Sequence, residues 1–157
     1  MSGGAASSWH TVVVMRHPRI IGRVVFYPDS RGWSRLARAI DIASWVPPFV
    51  VLRGAAWVLS RLAGFEDAED RKIGNAEFDR LFRVHAATDE IAAESIPAPL
   101  REFVLVSKQP ATVEIRDGEV RFALPREHFD GAHVDAALRF ASGLLQGCVE
   151  NRGAPMR

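Results

Sequence analysis

The chain opens with two runs of β-branched and apolar residues that are typical of strands. Residues 10–16 (HTVVVMR) form the first run, which ends at His17-Pro18. Residues 20–27 (IIGRVVFY) form the second, and the turn-forming residues 28–32 (PDSRG) follow it. The pattern therefore predicts two strands joined by a short connection.

Residues 33–45 have a mixed periodicity. Helical spacing fits Trp33, Leu36, Ile40 and Ala43, whereas strand alternation fits Ile40, Ile42, Ser44 and Val46. Periodicity alone does not decide between a helix and a strand. Residues 48–53 predict a buried strand, residues 55–63 a helix that ends at Gly64, and residues 65–72 a solvated loop. A membrane span over residues 42–64 is rejected because Arg53 at its centre would cost about 2.5–3.5 kcal/mol.

Cap and breaker residues define the next stretch, residues 73–107. Asn75 is a suitable N-cap for one helical turn that carries Phe78 and Leu81, and residues 82–85 then alternate as a half-buried strand. Thr88 caps a helix that ends near Ile96, because Pro97 prevents its continuation. Pro99 is placed as the first residue of a further helix ending at Ser107.

Residues 111–124 (ATVEIRDGEVRFAL) predict a β-hairpin. A type I′ turn at Asp117-Gly118 places two opposite-charge pairs on one face of the hairpin and two apolar pairs on the other. The charged pairs are Arg116 with Glu119 and Glu114 with Arg121; the apolar pairs are Ile115 with Val120 and Val113 with Phe122. A slip of one residue would lose this match of turn, charge and burial.

A last helix, capped by Asp130, completes the predicted fold. We expect its buried stripe to contain Val134, Ala137, Leu138, Ala141, Leu144 and Cys148. The order of elements predicts an α+β fold, an antiparallel sheet with helices packed on one face. Residues 1–8 are expected to be a flexible leader, residues 9–150 a single domain and residues 151–157 a flexible tail.

Composition excludes several classes of function. The chain has 20 basic and 19 acidic residues with the signs interleaved, so no surface for nucleic acid is predicted. Its single cysteine, Cys148, excludes an intrachain disulfide and suits a reducing compartment, and we expect a cytoplasmic protein.

The pattern Gly74-Asn75-x-x-Phe78-Asp79-x-x-Phe82-x-Val84, followed by an acidic helix start, prolines, a hairpin and a last helix, resembles an uncharacterised bacterial family of the domain-of-unknown-function type. Members often carry this module after membrane-spanning helices. The likeness extends from residue 73 to about residue 146 and favours a strand at residues 36–46. It implies a fold and no functional residue. Because this sequence lacks those helices, peripheral membrane association is kept only as a third hypothesis, weaker than the two given below.

No catalytic residue, cofactor or metal site is predicted. His128 and His133 lie near Glu127 and Asp130, but their spacing fits neither a helical nor a strand pair of metal ligands. Cys148 is interpreted as a buried structural thiol. Helix starts explain the acidic residues Asp79, Asp89 and Glu90. No glycine-rich phosphate loop or nucleophile elbow is present.

Trp33 and Trp45 are the candidate partner-binding residues, because the first follows a turn and the second ends a possible strand. The first hypothesis is a non-catalytic interaction or regulatory module that binds a protein partner or itself. The alternative is a small-molecule-binding domain or enzyme with a pocket between sheet and helices.

Overall fold

The computed structural model describes residues 12–29, 31, 69–124 and 131–150. Within these ranges the strands are β1 (Val12–Arg16), β2 (Arg23–Pro28), β3 (Glu69–Arg71), β4 (Phe82–Ala86), β5 (Thr112–Arg116) and β6 (Glu119–Ala123). The helices are α1 (Ala76–Leu81), α2 (Asp89–Ser95), α3 (Ala98–Ser107) and α4 (Gly131–Val149). All the strand pairs are antiparallel, in the order β1-β6-β5-β2-β4-β3.

One face of this sheet, the core face, carries the hydrophobic core. Its buried side chains are Val24, Phe26, Phe82, Val84, Val113, Ile115, Val120 and Phe122. The described helices pack on this face: Phe78 of α1 contacts Phe26 edge-on, and Phe140 of α4 lies 5.1 Å from Phe122 between ring centroids. The predicted α+β fold is therefore confirmed.

The Gly-Asn-x-x-Phe-Asp pattern at residues 74–79 is a framework element. Asn75 caps α1 by accepting a hydrogen bond from the Phe78 amide at 2.9 Å. Asp79 accepts one from the Ile73 amide at 3.0 Å, which ties the chain before α1 back onto that helix. Phe78 is fully buried. The residues of the pattern thus serve capping and packing, as predicted.

Helices α2 and α3 follow their predicted caps. Thr88 accepts a hydrogen bond from the Ile91 amide and caps α2. The pKa of Glu90 is lowered by a hydrogen bond from its own backbone amide and by one from the Thr88 side chain. Helix α3 begins at Ala98 after the cap residue Pro97, so Pro99 is its second residue and not its first.

The hairpin has the predicted register, in which Arg116 lies opposite Glu119 and Val113 lies opposite Phe122. The predicted type I′ turn is wrong: Gly118 has a φ of +81°, but Asp117 does not share a positive φ. A positive φ at the second central residue alone is the geometry of a type II turn. Contacts with the β1–β2 connection fix this geometry, because the Asp117 carboxylate accepts from the Gly22 amide and the Gly118 amide donates to Ile20.

The predicted loop at residues 65–72 is wrong at its C-terminal end, where β3 pairs with β4. Three charged residues form this edge strand, so there is no apolar alternation to indicate it. This segment is a strand because its backbone pairs with β4. The side chain of Arg71 donates to the carbonyl oxygens of Ala86 and Ala87 and fixes the strand to the end of β4.

The predicted buried stripe of α4 is partly wrong. Ala137, Ala141, Leu144 and Cys148 are buried, together with Phe140, but Val134 and Leu138 are 37% and 59% exposed. The helix carries two apolar stripes, and packing decides which one is buried. Helix α3 approaches α4 at Gly143 and Gly147, which turns Phe140 inward and leaves Val134 and Leu138 outside.

Several predictions lie outside the described residues. These are the leader, the tail, the elements at residues 33–64, the Asp130 cap, the side chains of His128 and His133, and both Trp33 and Trp45. No helix in the described part of the chain is long and apolar enough to cross a membrane.

Candidate interaction surface

Strand β1 forms one end of the strand order and pairs with β6. Hydrogen-bonded and non-hydrogen-bonded pairs alternate along an antiparallel ladder. Arg116 and Glu119 close the two-residue turn, so residues 119, 121 and 123 direct their backbone groups to β5, and residues 120 and 122 direct theirs to β1. Their partners Met15 and Val13 thus face β6.

The backbone groups of Val12, Val14 and Arg16 therefore point to the outer edge of the sheet. The next residue agrees with this alternation, since the His17 amide donates to the Gly118 carbonyl at 3.0 Å. Among the described strands, none pairs with this outer edge. The side chain of Val14, on the face of the sheet opposite the core face, is 45% exposed.

A second apolar stripe on α4 lies above the same edge. At 100° per residue, Val134, Leu138 and Leu145 share one flank of the helix, about 140–180° around from Gly143, where α3 packs. Helix α4 contacts β1, and its Phe140 contacts Phe122 of β6. With α3 on its inner side, α4 presents this flank over the outer edge of β1, which none of the described strands covers.

We call the outer backbone edge of β1 and the α4 flank of Val134, Leu138 and Leu145 the edge surface. Val134 and Leu138 are exposed, whereas Leu145 is half-buried and packs against the core. The surface thus combines backbone groups that no described strand pairs with and adjacent apolar side chains. Those are the two features that an added strand or a packed helix requires.

A separate polar cluster lies at the other end of the sheet, on its second face, opposite the core face. The Tyr27 hydroxyl and His85 Nε2 are 2.9 Å apart, and the two rings stack with their centroids 5.4 Å apart. Arg83 donates to Asp29 at 2.9 Å and to Asp70 at 2.6 Å. The register places Tyr27 opposite Arg83 and Asp70 opposite His85, so three strands build the cluster.

Burial sets the protonation of this cluster. It raises the pKa of Tyr27 above its ordinary value and lowers the pKa of His85 below its own. Hydrogen bonds to Asp29 and Asp70 raise the pKa of the Arg83 guanidinium. Near neutral pH the pair is thus a neutral phenol and a neutral imidazole beside a guanidinium held by two carboxylates. The two rings share a neutral hydrogen bond, and the charged members of the cluster are paired with each other.

A third group of charges lies along the hairpin on the second face. Glu119 accepts hydrogen bonds from Arg121 and from Arg16, and these two lower its pKa. Glu114, only 4% exposed, accepts one from Arg116. The contact of Arg16 with Glu119 links β1 to the hairpin, whereas the other two contacts run along β6 and β5.

Of the residues that the sequence singled out, Cys148 is buried, as predicted. Within residues 12–29, 69–124 and 131–150, no group of three or more histidine, cysteine or acidic residues is arranged to hold a metal ion. The Oδ1 atom of Asp89 lies 3.9 Å from Nη1 of Arg71. The edge surface was not predicted from the sequence. Its available signal was the apolar residues Val134 and Leu138 of α4, but these were predicted to be buried.

No family model matches the chain, and comparisons with curated proteins and with solved structures give no match either. The resemblance drawn from residues 74–84 thus stays a prediction.

Proposed function

We propose that this chain is a non-catalytic interaction module that binds a protein segment by adding a strand to β1. The observation that carries the proposal is the outer edge of β1, with which no described strand pairs, directly beside the exposed flank of α4. Trp33 and Trp45 stay predicted contact residues, and the proposal does not depend on them.

Strand addition has a simple physical basis at this edge. Main-chain hydrogen bonds supply affinity, and alternate side chains supply specificity. Natural edge strands are commonly protected by proline, charged side chains or a bulge. Residues Val12–Arg16 contain no proline, and they pair with β6 residue for residue without a bulge. The one charged residue, Arg16, is at the end of the strand and is paired with Glu119. The strand is therefore suited to accept a partner.

The chemistry of the polar clusters supports a non-catalytic role. Arg83 is paired with Asp29 and Asp70, and Glu119 with Arg16 and Arg121, so these charges stabilise the sheet. On the core face, fully buried side chains such as Phe26, Phe78 and Leu144 fill the space between the sheet and the helices. This filling favours the interaction hypothesis over a pocket at that position.

The test is an NMR titration of the protein with a synthetic peptide of residues 10–17 (HTVVVMRH), at low protein concentration. We expect the amide resonances of Val12, Val14 and Arg16 to shift. Those of Val13 and Met15 should shift less, because these amides already bond to β6. A peptide with proline at the position of Val14 is the matched control and should bind more weakly. No shift at millimolar peptide, or equal shifts with both peptides, would exclude strand addition at β1.

A further inference from the structure

We infer that the partner at the edge surface is a second copy of this chain, paired through β1 about a two-fold axis at Val14. This inference rests on the proposed function and specifies its partner. It follows from the register of β1, from the position of α4 over that strand and from the charges at its end.

The outward backbone groups of β1 are symmetric about Val14. In an antiparallel pair centred there, Val14 faces Val14 of the second copy, and Val12 faces Arg16. These are the positions whose N–H and C=O groups point outward, so each facing pair forms two hydrogen bonds. Val13 faces Met15 between them, on the core face, and both side chains are apolar. Among the symmetric registers of β1, this one pairs all three outward positions, Val12, Val14 and Arg16, and so forms the most hydrogen bonds.

The position of α4 fits the same axis. A two-fold axis perpendicular to the sheet keeps the core faces of both copies on one side. Adjacent strands are about 4.8 Å apart, so a helix above the β1–β6 pair lies about 5 Å from the axis. The two α4 helices would then be about 10 Å apart, at the upper end of the 8–10 Å range of packed helices. Val134 and Leu138 lie on the flank that faces this contact and would become buried.

Electrostatics do not oppose the pairing. Arg16, opposite Val12 of the second copy, keeps its ion pair with Glu119 of its own chain, with Nε and Oε2 2.9 Å apart. The flank of α4 that faces the axis carries no charged residue between Val134 and Leu145. Asp135 and Arg139 lie on the outer side of α4, paired with each other. Among the described residues of this contact, the charged side chains Arg16, Asp135 and Arg139 all keep their partners.

The test measures the monomer–dimer equilibrium of the full chain by analytical ultracentrifugation. Val14→Pro removes an outward N–H and leaves the bonds of Val13 and Met15 to β6 in place. Because the symmetric pair loses two hydrogen bonds, we expect dimer affinity to fall about thirtyfold. Val14→Thr keeps the N–H and should dimerise as the wild type does.

A second variant tests the helix contact. Leu138→Glu places two like charges in the α4–α4 contact and should also shift the equilibrium to monomer. Gln146→Glu, on the exposed outer side of α4, adds the same charge as a matched control and should have no effect. Circular dichroism verifies that each variant is folded.

The possible results separate this inference from the proposed function. Dimerisation that Val14→Pro and Leu138→Glu weaken, and that the controls do not, supports the inference. A chain that stays monomeric at millimolar concentration, or a dimer that neither variant weakens, overturns it. If the chain is monomeric but the peptide still shifts Val12, Val14 and Arg16, strand addition stands and the second copy is excluded as the partner.

Discussion

Tyr27 and His85 share a hydrogen bond on the second face of the sheet, and their surroundings hold both side chains neutral. Burial is the largest cause of the raised pKa of Tyr27; Arg83 acts against it, and Asp70 and Asp29 add to it. For His85, burial lowers the pKa and Asp70 partly offsets that effect. The contact is thus a neutral hydrogen bond that stabilises the pairing of β2 with β4.

Absorbance titration tests this assignment, because Tyr27 is the only tyrosine of the chain. We expect the folded protein to form tyrosinate at a higher pH than the protein in denaturant. Since the folded pKa is the higher one, the stabilising contribution is complete below about pH 10 and is lost as the pH rises towards the folded pKa. Asp70→Asn should move the folded midpoint downward. A folded midpoint at or below that of the unfolded chain would contradict this account.

The sequence predicted part of this site at the level of single residues. Alternation over residues 82–85 placed His85 on the face opposite Phe82 and Val84, and that face is correct. Its contact with Tyr27, 58 residues away, depends on which strands become neighbours. Pairing over that distance depends on the whole core, and no local pattern determines it.

Among the described elements, α3 and α4 approach each other closely at Gly143 and Gly147. A methyl group on Gly147 would lie 2.6 Å from Cα of Leu100 and 3.0 Å from its backbone nitrogen. Backbone atoms cannot move aside as a flexible side chain can. The glycine therefore allows α3 and α4 to approach closely, and this approach sets the rotation of α4 and hence the exposed flank.

Replacing Gly147 by alanine tests whether the packing of α3 on α4 has a larger effect on stability than helix propensity. Alanine should favour the helix by about 1 kcal/mol, but the clash in Gly147→Ala should outweigh the gain. We expect a net loss of about 1–3 kcal/mol in the free energy of unfolding by urea. Ser142→Ala, at an exposed site of the same helix, should be neutral or stabilising by about 0.5 kcal/mol. A Gly147→Ala protein as stable as the wild type would show that α3 and α4 pack less closely.

The sequence correctly predicted those features of the helices and strands that depend on residues near one another in the chain. Asn75 and Thr88 cap helices as their side chains predict, and the hairpin register follows from its charges and apolar residues. The turn type and the buried stripe of α4 were wrong. Both depend on contacts distant in sequence: the β1–β2 connection for the turn, and α3 for the stripe.

For the whole molecule, the sheet has one apolar face under the described helices and one end, β1, that these strands leave open. The polar clusters hold the sheet together, while the edge surface offers backbone groups and exposed apolar side chains. A strand added at β1 would extend the sheet without changing its core. This division of roles leads from the fold to the interaction module that we propose.

Hydrogen exchange of the β1 amides, measured over a range of protein concentrations, tests this central claim most directly. The Val13 and Met15 amides bond to β6, so we predict protection at every concentration. The Val12, Val14 and Arg16 amides should exchange rapidly in dilute protein and become protected as the concentration rises, with the Val14→Pro variant losing this dependence at residues 12 and 16. Equal protection of all five amides, or rapid exchange of the outward three at every concentration, would contradict association of two copies through β1.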